Sequence, residues 1–203
     1  AYLFSLLYSS LEKQNRLDEA ALYIDQILKL DLENPKALQN SGIALERIGD
    51  FIEAEKLYRN AIAKTPNDSS LYYYLGIVLQ KMDGRQLEAL EYFQKAIALN
   101  PTDNNIHNNM GILLMELNHN EEAEAIFRKG IQINPIDANL HNNLGNLLKK
   151  LNQFEDAEKC YRKAIETEPS DSINYYNLGV LLHIDLKRYH DAEEAYKSAI
   201  EAN

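Results

Sequence analysis

Apolar residues recur along this chain in steps of three and four. The run Ile112, Leu113, Leu117 and then Ala123, Ile126, Phe127, Ile131 carries the pattern. Such steps place apolar side chains on one face of a helix with 3.6 residues per turn, whereas a half-buried strand would alternate. The polar stretch Asn118-His119-Asn120 divides that run in two. The pattern therefore predicts pairs of amphipathic helices joined by short turns. Proline marks where pairs end: Pro66, Pro101, Pro135 and Pro169 lie 35, 34 and 34 residues apart. Proline lacks the N–H that a helix interior needs and disfavours helix in the residue before it.

Three further residue types keep the same phase. Gly42, Gly76, Gly111, Gly145 and Gly179 are spaced 34, 35, 34 and 34 apart. Ala20, Ala54, Ala89, Ala123, Ala157 and Ala192 form a second series. Tyr58, Phe93, Phe127, Tyr161 and Tyr196 stand four residues after the last five of these, and Ile24 stands there after Ala20. A glycine inside a helix costs about 1 kcal/mol relative to alanine. Five in phase imply close approach of paired helices, with Gly145 expected to face Ala157 and Ala164 of its partner.

Leu-Gly, then Ala with an aromatic four later, then Pro, at this period, resembles the tetratricopeptide repeat. The resemblance spans the chain in six units: 1–34, 35–68, 69–103, 104–137, 138–171 and 172–203. Units three and six each carry one extra residue between their helices, near Asp83-Gly84 and Asp185-Leu186. The first unit departs most, with Tyr8 in place of Gly and Leu32 in place of Pro. The implied fold is all-α, a right-handed superhelical solenoid of six helix-turn-helix repeats forming a single domain. No unit can bury its apolar face alone, so units stack and share one core. The resemblance places first helices on the concave wall and second helices outside. Leu3, Phe4, Leu6 and Leu7 give the first helix a broad apolar surface. We therefore expect further helices in a longer parent protein, or self-association through an exposed end.

Charge narrows the partners. With 21 Lys+Arg against 31 Asp+Glu, the net charge is −10. Phosphate recognition needs an excess of cations, and anionic lipid surfaces need the same. Neither nucleic acid nor membrane is expected, and an RNA-reading repeat of the pentatricopeptide kind is disfavoured. Cys160 is the single cysteine, which suits the cytoplasm or another reducing compartment.

The resemblance also assigns a groove. Positions 2, 5, 6, 9, 12 and 13 of each first helix would face it. Position 6 carries Asn40, Tyr74, Asn109, Asn143 and Asn177; position 5 carries Tyr73, Asn108, Asn142 and Tyr176. Asn105 and Asn139 add to position 2, and Asn146 to position 9. Asparagine is a poor helix residue, so helix formation does not explain this series. A side-chain amide offers an acceptor and two donors, and can pair with the C=O and N–H of an extended peptide whatever its sequence. The series resembles the asparagine-lined repeat arm of O-linked N-acetylglucosamine transferase; the alternative reading is inherited, solvated asparagine. The tyrosines would read ligand side chains or pack on neighbouring units. The clamp that family members use for acidic C-termini needs Lys at position 5, and this chain has none there. Arg47, Lys81, Lys149 and Lys150 lie lower on the first helices and could favour acidic ligand stretches or simply be solvated.

Catalytic signatures are missing: no phosphate-binding glycine loop, no Gly-x-Ser-x-Gly, no His-Glu-x-x-His. His107 and His141 sit one per unit at position 4, too far apart to share a metal, and are expected to replace a packing aromatic. The expected function is a non-enzymatic protein-interaction scaffold without cofactor or metal, holding a protein or extended peptide in its groove. The alternative is the substrate-binding arm of an enzyme whose catalytic domain lies outside this chain.

Overall fold

The computed structural model describes Ser10 and residues 34–202. The first unit's features (Leu3, Phe4, Leu6, Leu7, Tyr8, Ala20, Ile24 and Leu32) lie outside the described residues. Among residues 34–202 ten α-helices follow one another: α1 (Pro35–Arg47), α2 (Phe51–Lys64), α3 (Ser69–Gln80), α4 (Gln86–Leu99), α5 (Asn104–Glu116), α6 (Asn120–Ile133), α7 (Ala138–Lys150), α8 (Phe154–Thr167), α9 (Ser172–Val180) and α10 (Tyr189–Glu201). A π-helical turn, Leu181–Asp185, continues α9. No strand occurs among the described residues. The chain forms two compact units, one ending at Pro101 and the other beginning at Thr102. In the first, α1 packs on α2, α2 on α3 and α3 on α4; in the second, α5 to α10 follow the same order.

Each described first helix starts on a side-chain cap. Asn34, Asp68, Asp103, Asp137 and Asp171 accept backbone N–H bonds from residues two or three ahead. This satisfies donors that the first turn leaves unpaired. Each turn inside a pair contains one left-handed residue: Gly49 (φ 85°), Gly84 (φ 74°), Asn118 (φ 61°), Asn152 (φ 60°) and Lys187 (φ 55°). Glycine and asparagine adopt this backbone readily; Lys187 does so at a cost.

The glycine series admits a ring and not the small alanines. A Cβ on Gly145 would lie 2.8 Å from Tyr161 Cε1, one on Gly42 2.7 Å from Tyr58 Cε1, and one on Gly76 2.7 Å from Phe93 Cε1. Gly111 meets Phe127 and Gly179 meets Tyr196 in the same way. The expectation that Gly145 faces Ala157 and Ala164 is thus corrected. Ala157 and Ala164 are buried, while the glycine makes room for the aromatic.

The two extra residues are absorbed differently. In the third unit the turn lengthens to five residues, 81–85, from the three (117–119) of its successor. In the sixth the turn keeps three residues, 186–188, and the surplus enters the π-helical turn. Both solutions keep a ring, Phe93 or Tyr196, against the unit's glycine.

Candidate functional site

In the second compact unit the first helices α5, α7 and α9 carry the asparagine series, and side-chain amides link them. Asn143 Nδ2 of α7 donates to Asn108 Oδ1 of α5 at 2.7 Å. Asn177 Nδ2 of α9 donates to Asn142 Oδ1 of α7 at 2.9 Å. Position 6 of one unit therefore meets position 5 of the unit before it, and all four residues are half-buried. Each bond uses one of two N–H donors on position 6, so the other N–H and the amide oxygen remain as bonding capacity. Asn109 turns back along its own helix, its Nδ2 donating to the Asn105 carbonyl at 3.1 Å. Asn105 and Asn139 are exposed. Asn146 supports the core instead, its Oδ1 accepting from the buried Tyr161 hydroxyl at 2.8 Å.

The first compact unit builds the corresponding surface from rings. Tyr74 stacks on the buried Tyr58, centroids 5.8 Å apart and planes 10° from parallel. Tyr73 meets Tyr74 edge-on at 5.3 Å and leans on Phe93 at 6.1 Å. Both are half-buried, as is Asn40. A link absent from the sequence reading joins the two first helices here: Gln39, 3% exposed, donates from Nε2 to Ser70 Oγ at 2.8 Å. Tyr176 on α9 is 56% exposed and leans on Tyr196 at 6.2 Å.

None of the expected groove cations stands free. Lys81 pairs with Glu46 at 2.8 Å, Lys149 with Asp185 at 3.8 Å, and Lys150 donates to Met115 O and Asn118 Oδ1. Position 4 is a packing position that also reaches backward. Tyr72 donates to Pro66 O, and the ring nitrogens of His141 and His107 lie 3.0 Å from Pro135 O and Asp103 O. His107 is fully buried, and its Nε2 has no partner among the described residues. Burial pushes the Cys160 thiol up to about 11, which keeps it protonated and a weak nucleophile at neutral pH. Among the described residues no three His, Cys, Asp or Glu side chains gather as metal ligands would. No helix among them is long and apolar enough to cross a membrane.

The sequence reading missed an ionic frame along the second helices. Arg85 grips Glu55 with both Nη atoms, at 3.1 and 2.9 Å, and its Nε bonds Glu88. Arg59 joins the frame through Glu55, Glu88 and the Tyr92 hydroxyl. The hydrogen bond from Arg85 holds the Glu55 carboxyl below its ordinary value against the opposing effect of partial burial, and Arg59 adds to it.

Profiles of the tetratricopeptide repeat match residues 9–69, 40–104, 82–132, 138–171 and 160–194. A comparison with curated proteins returns no match. Among solved structures, MamA 41-end from Desulfovibrio magneticus RS-1 is 21% identical with a TM-score of 0.71, the match covering 84% of this chain and 95% of that one. YrrB, described as a TPR protein with an unusual peptide-binding site, is 19% identical with a TM-score of 0.63, covering 89% and 92%. Pseudomonas aeruginosa pilF is 16% identical with a TM-score of 0.77, covering 96% and 87%. Likeness at these identities speaks to the fold.

Proposed function

This chain belongs to the tetratricopeptide-repeat family, and from that premise we propose that it is a non-catalytic scaffold whose first-helix face holds an extended peptide or partner segment. The observation that carries the reading is the pair of inter-helix amide bonds, Asn143 to Asn108 and Asn177 to Asn142. They pre-position amides that still offer an N–H and a C=O, the complement of a peptide unit. Adjacent first helices lie on the order of 10 Å apart, a span that an extended chain covers in roughly three residues. Asn109, Asn143 and Asn177 would then engage the backbone at intervals, with Asn105, Asn108, Asn139 and Asn142 as neighbours and Tyr176 reading side chains. Asn40, Tyr73 and Tyr74 would divide the same roles on the first unit's own face. The relative described as having a peptide-binding site supports the class of ligand. The net charge of −10 argues against nucleic acid, and mixed RNA at low salt should not be retained with the protein on a filter.

The test is a peptide-array screen with the intact protein, repeated with Asn109, Asn143 and Asn177 all changed to Ala. Each lost backbone pair costs about 1 kcal/mol, so extended ligands should bind about a hundredfold more weakly, largely regardless of sequence. Circular dichroism must show the variant folded. Undiminished affinity would reject the amide groove. The same face would serve the substrate-binding arm of an enzyme, and the sequence of the full-length polypeptide separates the two.

A further inference from the structure

The chain contains one site twice, once filled and once open. In the first compact unit Tyr92 of α4 lies in a cleft between α2 and α3. Its ring stacks on Tyr72 with centroids 6.2 Å apart and planes 29° from parallel. Its hydroxyl accepts from Arg59 Nη1 at 2.6 Å, and the Arg59 guanidinium carbon lies 5.4 Å from the ring centroid. Arg85 and Glu55 frame this cleft through their ion pair. Four residues around the ring recur 103 positions later: Glu55 as Glu158, Arg59 as Arg162, Tyr72 as Tyr175, Arg85 as Arg188; Lys95, whose Nζ lies 4.8 Å from the ring centroid, gives way to Ser198. The ionic frame recurs as well, since Arg188 bonds Glu158 at 2.7 Å and Asp191 at 2.6 Å, and Arg162 bonds Glu158 at 2.7 Å. Tyr92 alone has no equivalent ring, because Ala195 stands in its place. That position holds Leu57, Tyr92, Ile126, Cys160 and Ala195 in successive units, and Ala195 is the smallest.

Where the ring is missing, a cleft of about 490 Å³ opens, lined by Arg162, Tyr175, Leu178, Arg188, Ala195 and Ser198 among others. Benzene is held by a cavity of roughly 150 Å³, so a phenol ring fits with room for the chain that carries it. Arg162 uses Nε and Nη2 on Glu158. Its Nη1, the atom that Arg59 presents to the Tyr92 hydroxyl, has no bond among the described residues. An apolar floor (Leu178, Ala195), a ring wall and an arginine donor are together the recognition elements of a phenol.

We propose that the cleft between α8, α9 and α10 is a docking site for a tyrosine side chain of a partner polypeptide, seated as Tyr92 is seated in the first unit. None of its lining residues belongs to the asparagine series, so the site is independent of the proposed peptide-binding face.

The test is titration of the intact, 15N-labelled protein with N-acetyl-tyrosine amide, against N-acetyl-phenylalanine amide. The tyrosine probe should shift the amide resonances of Leu178, Ala195 and Ser198, with a dissociation constant on the order of 1 mM, as for a fragment of that size. The phenylalanine probe should bind about five times more weakly, having no hydroxyl for Arg162. Ala195→Tyr should fill the cleft from within and abolish the response. Arg162→Met should remove the preference for tyrosine, and Tyr92→Ala should create a second responding site on α4. If Ala195→Tyr does not fold, the last two variants decide. No response at the cleft, equal response to both probes, or binding undiminished by Ala195→Tyr would overturn the proposal.

Discussion

Gly145 shows how narrowly single positions are set. Its helix would gain about 1 kcal/mol from alanine by propensity, yet the added Cβ would meet the buried Tyr161 ring at 2.8 Å. Overpacking of this kind costs about 1–3 kcal/mol. Gly145→Ala should therefore lower unfolding free energy in urea by about 1 kcal/mol, the overpacking cost less the propensity gain and opposite to it in sign. The rings opposite the glycines also differ in what their hydroxyls meet. Tyr161 donates to Asn146. Tyr58, with Ile43 at the position of Asn146, has a buried hydroxyl with no partner among the described residues, and burial raises its pKa above the usual phenol range. An unpaired buried polar group costs about 1–3 kcal/mol, and a made bond contributes about 1. Tyr58→Phe should accordingly stabilise the protein by about 1 kcal/mol and Tyr161→Phe destabilise it by about as much, measured in the same urea series. The period of glycine and aromatic was legible in the sequence. Their mutual contact was not, because Ala157 and Tyr161 share one face of α8, and only the inter-helix stagger decides which meets Gly145. The amide pairs were hidden for the same reason: positions 5 and 6 are read in sequence, but the pairing of Asn143 with Asn108 needs the offset between α7 and α5.

At the level of helices, starts and turns are written in short-range chemistry. Asp68, Asp103, Asp137 and Asp171 each follow a proline by two residues and each caps a helix. That signal lay in the sequence beside the prolines and was not read. Asp137→Ala should cost about 1 kcal/mol, visible as a lower thermal midpoint. Lys187 holds a left-handed backbone at φ 55°, where non-glycine residues lose about 1–2 kcal/mol. Lys187→Gly should recover about 1 kcal/mol. The Glu55–Arg85 pair ties α2 to α4. Because Glu55 titrates below its ordinary value of 4.5 when folded, its contribution is present above that pH and is lost as pH falls through the lowered value. Glu55→Gln should therefore be less stable than the parent at pH 6, and the gap should narrow as pH falls below 4.5. Distant charges meeting across helices leave no local trace, so this frame was invisible in the sequence.

At the scale of the chain, the repeat period and the all-helical class of the described residues were legible because several residue types repeat in phase. The boundary between the two compact units falls near a repeat boundary of the sequence, at Pro101. Within each compact unit helices pack on neighbours in chain order. Stability in such arrays is a sum of local terms and neighbour terms. Hydrogen exchange should report this directly: Gly145→Ala should speed exchange in α7 and α8 first, then in α6 and α9. A uniform increase across α1 to α10 would mean a single cooperative block.

The π-helical turn at Leu181–Asp185 bears on how such a chain tolerates genetic change. A one-codon insertion would ordinarily rotate everything after it by about 100° around the helix axis. Here the widened turn takes up the surplus within two turns, and Tyr196 still reaches Gly179. The ends of first helices therefore act as expansion joints, where the reading of one face can slip by a residue without disturbing the next. Lineages of such arrays should accumulate small length differences at these joints and few in the middle of second helices.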